Sequence, residues 1–189
     1  IERHTLFCSQ ASYPIKGIHF AIEALKIVKE RYPDVKLYIA GNNIFKSKLR
    51  LSGYGKYLKR MIEKYELGKN IEFTGLLNEN QMIERLLKTN VFILPSAIEN
   101  SSNSVGEAML CGQAVACTNN LGYQEMAKHE KTALLSPVMN PQLLAENIIR
   151  LIENDGLRIK LAYNGLKYIK ENFAWDKSHA LLVNLINQS

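Results

Sequence analysis

The sequence predicts an α/β protein built on a doubly wound parallel sheet, and three observations predict it. Short apolar runs alternate with longer amphipathic stretches from end to end, the pattern of βαβ units. The apolar runs are nearly continuous, as strands covered on both faces require. No internal repeat or low-complexity tract interrupts them. At 189 residues, 47% hydrophobic and 22% charged, residues 1–189 suffice for one Rossmann-like domain with a sizeable core.

Each element follows from its own local signal. Thr5-Leu6-Phe7-Cys8 reads as the first strand, and a polar loop follows to Gly17. Ile18, Ile22, Leu25 and Val28 then mark one apolar helical face that ends near Arg31-Tyr32-Pro33. Val35 to Ala40 is a strand stopped by Gly41, and a basic helix follows Gly53 and Gly55 to about Tyr65. Ile71 to Thr74 is a strand ending at Gly75, and Glu79 to Thr89 a helix. The apolar run Val91-Phe92-Ile93-Leu94, closed by Pro95, is the next strand, with a helix expected from Ser104.

Gln113 to Thr118 reads as a further strand, and Asn119-Asn120-Leu121-Gly122 as a turn into a short helix. Ala133-Leu134-Leu135 is a last short strand. Pro141 suits the first turn of a helix lined by Leu144, Ile148, Leu151 and Ile152. From Leu157 to Ile186 the chain reads as helix with a break near Asn172-Phe173, so that 173–189 forms a terminal helix. The chain begins at Ile1, almost directly before a strand, and is expected to be a piece of something longer.

Composition excludes several classes. No stretch approaches the roughly 18 apolar residues of a membrane span, and the first residues lack a secretory pattern. Cys8, Cys111 and Cys117 show no metal spacing and read as reduced, buried thiols of a cytoplasmic protein. The net charge of +6 concentrates between Lys46 and Lys69. There Lys56, Lys59, Arg60 and Lys64 share one helical face, read as a solvated face or as a contact for anionic lipid head groups or a phosphorylated acceptor. No aromatic stacking run is interleaved with these charges, which argues against nucleic acid.

Familiar catalytic signatures are missing too. Gly53-Tyr54-Gly55 lacks the third glycine and the acidic residue of a dinucleotide fingerprint. There is no P-loop, HExxH or nucleophile elbow, and His4, His19, His129 and His179 have no ligand spacing.

What remains sits on the carboxyl edge of the expected sheet, where ligands of open α/β proteins bind. Lys16-Gly17 lies in the loop after the first strand, where a lysine reaches a phosphate and glycine lets the backbone turn into the helix. Glu99 and Glu107 flank the polar loop between the Val91 strand and the next helix. That helix start offers free N–H groups to an anion, and two carboxylates beside it suit the hydroxyls of a sugar or ribose. Ser104-Val105-Gly106-Glu107 also fits a capping box, which leaves Glu107 with a structural reading as well.

These residues resemble a known family. Pro95-Ser96, Glu99, seven residues, Glu107-Ala108-Met109 and Cys111-Gly112-Gln113-Ala114-Val115-Ala116 match the Glu-x7-Glu motif of the carboxyl-terminal, donor-binding domain of retaining GT-B glycosyltransferases, group 1 (family 4). Lys16-Gly17, Ala40-Gly41, Phe73-Thr74-Gly75 and Gly122-Tyr123-Gln124-Glu125 extend the resemblance over about Leu6 to Trp175. The run Glu99-Asn100-Ser101-Ser102-Asn103-Ser104 is similar to a subset used in bacterial surface-polysaccharide assembly.

The resemblance implies a donor domain for a UDP- or GDP-sugar, with no metal and no further cofactor. It implies catalytic roles for Glu99 beside the donor sugar and Lys16 on the leaving diphosphate. Glu107 would hold the ribose, the amides of Asn103, Ser104 and Val105 the diphosphate, and the Thr74-Gly75 segment the base. An arginine usual in the family is replaced here by Gln10. A missing amino-terminal domain would bind a carbohydrate or lipid-linked acceptor, with the 173–189 helix packing toward it. Alone the chain is then expected to bind nucleotide and transfer little, in the cytoplasm or at the inner face of a membrane. The alternative is a non-catalytic module of the same fold, which Gln10 favours.

Overall fold

The apolar runs become six parallel strands in the computed structural model, which describes residues 1–10, 13–41 and 52–173. They are β1 (Thr5–Cys8), β2 (Lys36–Ala40), β3 (Ile71–Gly75), β4 (Val91–Leu94), β5 (Val115–Thr118) and β6 (Leu134–Ser136). Their order in the sheet is β3-β2-β1-β4-β5-β6. The helices between them are α1 (Ile18–Arg31), α2 (Gly53–Lys64), α3 (Glu79–Lys88), α4 (Asn103–Leu110), α5 (Pro141–Glu153) and α6 (Asp155–Asn172).

Alternation along each strand supplies two cores. Leu6 and Cys8 of β1, with Ile93 and Ala116, face the layer of α1, α2 and α5, where Ile22, Leu25, Leu58 and Ile148 are fully buried. Phe7, Phe92, Leu94, Val115 and Cys117 face the other way, against Leu86, Val105, Met109 and Ile169 of α3, α4 and α6. Each face therefore removes a full set of large side chains from water, worth about 1.5–3 kcal/mol per residue.

The helix ends follow local chemistry. Ser52 accepts from Gly55 N at 3.0 Å to start α2. Asn78 and Gln81 form a reciprocal capping box on α3, and Asn140 caps α5 ahead of Pro141. The capping box expected at Ser104 and Glu107 is not formed. The helix starts one residue earlier, at Asn103, so Ser104 lies inside its first turn, and no side chain caps it. Strand β5 also begins later than expected, because Gly112 and Gln113 are held in the turn that ends α4. The predicted 173–189 helix, Trp175 and the basic residues Lys46, Lys48 and Arg50 lie outside the described residues.

On α2, Lys56, Lys59, Arg60 and Lys64 are exposed, with Lys59 3.8 Å from Glu63. Cys8 and Cys117 are free and buried, whereas Cys111 is only partly covered. Burial pushes the Cys8 thiol up to about 11, opposed by a contact to the Gln10 backbone, and it raises Cys117 as well. Burial and the neighbouring Glu107 raise Cys111 less far. Titration of the native chain with a thiol-reactive disulfide at pH 8 should therefore modify Cys111 alone. The denatured chain should give all three thiols, and rapid native modification of Cys8 or Cys117 would contradict this core.

Candidate functional site

The sheet order reverses between β1 and β4, the switch point at whose carboxyl ends ligands of open α/β sheets bind. The first loop enters a short 3-10 turn over Pro14–Lys16 and closes at Gly17, whose φ of +71° is left-handed. A Cβ on Gly17 would lie 2.0 Å from the Pro95 carbonyl oxygen, so only glycine admits the approach of the two loops. Ala97 N donates to Ile15 O at 2.9 Å and fastens them.

This junction aims Lys16 at Glu99. The Lys16 Nζ lies 2.9 and 3.0 Å from the two carboxylate oxygens of Glu99, whose side chain is 7% exposed. Ser96 Oγ, wholly buried, donates to Glu99 Oε1 at 2.7 Å. Behind it Thr118 Oγ1 donates to Ser96 O at 2.5 Å, and Tyr123 Oη donates to Thr118 O at 2.7 Å. Asn120 Oδ1 accepts from the N–H groups of Glu99 and Gly122, both at 3.2 Å. Gly122 is a second forced glycine, since a Cβ there would stand 2.2 Å from Glu99 O.

The far wall is the start of α4. Ser102 and Ser104 hydroxyls pair with each other at 2.9 Å instead of capping the helix. Val105 N–H is engaged with Ser102 O at 3.2 Å, and its side chain is buried in the core. The N–H groups of Asn103 and Ser104 have no partner among the described residues, which leaves two donors at the positive end of the helix dipole. Glu107 stands exposed one turn further on.

A polar cavity of about 280 Å³ collects these groups. Gln10, Lys16, Glu99, Asn103, Ser104 and Glu107 line it, together with Ser9, Ser101, Ser102 and Met82. A second, more apolar hollow of about 480 Å³ shares Met82 and Glu107 with it and runs between Leu77, Asn78 and Ile83 on one side and Leu110 on the other. Glu107 therefore stands at the junction of a polar chamber and an apolar one.

Most of the residues named from sequence meet here, and a few do not. Val105 offers neither side chain nor free amide. Thr74 and Gly75 line neither chamber; the Thr74 hydroxyl is turned to the carbonyls of Ile39 and Gly75, and the apolar hollow starts at Leu77. Ser96, Asn120 and Tyr123 had no role assigned from sequence, although Pro95-Ser96 and Gly122-Tyr123 stood in the motif. Asn120 reaches Glu99 across 21 residues of chain and Thr118 reaches Ser96 across 22, whereas Ser96 meets Glu99 only three residues away and Tyr123 meets Thr118 five away.

No second cation replaces an arginine at Gln10 among the described lining residues. Burial lowers the His19 pKa and favours the neutral imidazole, whose Nδ1 lies 3.0 Å from Tyr54 Oη. Among the described residues no three His, Cys, Asp or Glu side chains converge as a metal site, and no helix is long and apolar enough to cross a membrane.

Comparison with known proteins agrees with this geometry. The profile of the family described as glycosyl transferases group 1 matches residues 2–168. An uncharacterized glycosyltransferase of Methanocaldococcus jannaschii, MJ1607, is 26% identical over 97% of this chain and 44% of its own length. A second from that organism, MJ1069, is 31% identical over 76% of this chain and 38% of its own. The chain thus spans about two fifths of the length of these relatives. Anabaena Alr3699/HepE, crystallised with UDP-glucose, superposes with a TM-score of 0.87 at 22% identity, over 99% of this chain and 49% of that one. The C-terminal domain of the group 1 protein LpcC from Francisella tularensis superposes at 0.78 with 22% identity, covering 90% of this chain and 86% of that domain. By the family match over residues 2–168, with the carboxyl-terminal fold of a GT-B enzyme, the chain belongs to the group 1 glycosyltransferases.

Proposed function

We propose that the chain is the donor-binding part of a retaining, metal-independent glycosyltransferase that uses a nucleoside diphosphate sugar, with bacterial polysaccharide biosynthesis as its setting. The observation that carries this reading is the two-chamber trench with Glu107 at its junction. A diphosphate in the polar chamber meets Lys16 and the free Asn103 and Ser104 amides. The ribose hydroxyls fall to Glu107, and the base enters the apolar hollow beside Leu77, two residues beyond the Thr74-Gly75 segment. Glu99 faces the sugar.

Chemically the arrangement stabilises a leaving group. As the glycosidic bond breaks, negative charge grows on the diphosphate, and two preoriented helix amides answer it without a metal, joined by Lys16 once it turns from Glu99. Helix α4 is eight residues long and fixed by Val105 and Met109 in the core, so its amides do not need to reorganise. The acceptor, a carbohydrate or a lipid-linked one, would be held by a further domain, and the exposed basic face of α2 would meet anionic lipid.

Thermal shift tests the reading. UDP- or GDP-sugar at a hundredfold excess over Kd should stabilise the chain by about 2.7 kcal/mol, roughly 5–10 °C. Glu107→Ala should lose most of that shift while melting normally without ligand. No stabilisation by either nucleotide sugar, and no effect of Glu107→Ala, would refute the proposal. A second reading, a non-catalytic module, is favoured by Gln10. It fails if the complete protein transfers sugar and Glu99→Ala abolishes transfer.

A further inference from the structure

Lys16 in the polar chamber is already paired. Among the described residues that line the chamber, Lys16 is the one lysine beside two carboxylates, Glu99 and Glu107, and its Nζ is paired with both oxygens of Glu99. The two partners are held unequally. Glu99 is anchored through Ser96 Oγ on its carboxylate, Asn120 Oδ1 on its N–H and Gly122 against its carbonyl. Among the described residues Lys16 Nζ bonds to Glu99 alone, and its side chain is 20% exposed against 7% for Glu99. When an anion enters, the lysine is the member free to turn.

We propose that the Lys16–Glu99 pair makes the crevice prefer a complete sugar nucleotide over the nucleoside diphosphate it becomes. This rests on the reading of the trench as a sugar-nucleotide site. A diphosphate that draws Lys16 away strips the cation from a nearly buried carboxylate, which keeps only the Ser96 hydroxyl. An uncompensated buried charge is expensive. A ligand that also carries the sugar offers hydroxyl donors to Glu99 and repairs the loss. The bare diphosphate does not, so it binds against the return of Lys16 to Glu99. The pair therefore couples recognition of phosphate to recognition of sugar, and it favours release of the spent nucleotide. Ser96 acts as a positioning residue, holding Glu99 in place while its cation is away.

Calorimetric titration of the chain with UDP and a UDP-sugar, or the guanosine pair, tests this. The wild-type chain should bind the sugar nucleotide about tenfold more tightly than the diphosphate, an advantage of the size of one charged hydrogen bond. Glu99→Gln keeps the shape but frees the lysine. It should tighten the bare diphosphate about tenfold and abolish the preference, and adding Lys16→Met should reverse that gain. Ser96→Ala has the opposite sign: Glu99 is then worse compensated once Lys16 leaves, and the preference for the sugar nucleotide should widen. Glu99→Gln that is folded by circular dichroism yet binds the diphosphate no better than wild type overturns the inference, as does an unchanged preference in Ser96→Ala. Failure of the wild-type chain to bind either ligand overturns instead the sugar-nucleotide reading beneath it.

Discussion

Alanine at Gly17 is expected to destabilise the chain by about 3 kcal/mol or more, a fall in melting temperature of roughly 6–12 °C. Two penalties add. The residue sits at φ +71°, where a side chain costs on the order of 1 kcal/mol or more. Its new Cβ would also stand 2.0 Å from Pro95 O and 2.8 Å from the Pro95 carbonyl carbon, both backbone atoms that no rotamer can move aside. Either the end of β4 or the start of α1 must shift, and the Ala97–Ile15 hydrogen bond stretches with it. Nucleotide binding should fail together with stability, because Lys16 is the neighbour that moves. Gly122→Ala meets Glu99 O at 2.2 Å without the left-handed φ and should cost less. Melting followed by circular dichroism decides the matter, and a Gly17→Ala chain melting within a degree of wild type would contradict this loop junction.

Lys16→Met should lower sugar transfer by the complete enzyme about 10²–10³-fold, the usual loss when one donor to a developing oxyanion is removed. No other cation among the described lining residues is placed to substitute, and neutral Gln10 stands nearby. Lys16→Arg retains charge with different reach and should recover part of the rate. Steady-state assays of both variants, with thermal melts to confirm folding, would check this. Transfer by Lys16→Met within tenfold of wild type would remove Lys16 from the mechanism.

Most of the frame was legible because buried parallel strands announce themselves. β1, β4 and the helix faces of α1 and α5 are set by runs of Leu, Ile, Val and Phe that have one way to be buried. The start of α4 was not, because Ser101 to Ser104 offers several equivalent capping residues. Burial of Val105 fixes where the helix begins, and the serine hydroxyls then pair with each other. The position of Lys16 and Glu99 on one edge followed from strand order, but their direct pairing spans 83 residues of separation and no local pattern encodes it. The lining of the apolar hollow was not legible for a related reason. Thr74 spends its hydroxyl on the neighbouring main chain, so the hollow opens only where the chain reaches Leu77.

The two glycine contacts bear on how such a crevice can diversify. Pro95 rests against Gly17 and Glu99 against Gly122, so loops from three strands interlock main chain to main chain. The Lys16–Glu99 pair is thereby registered by atoms that every residue shares. Side chains such as Asn100 and Ser101, both exposed, carry none of that registration. Selection can exchange them while the frame that holds Lys16 and Glu99 stays in register.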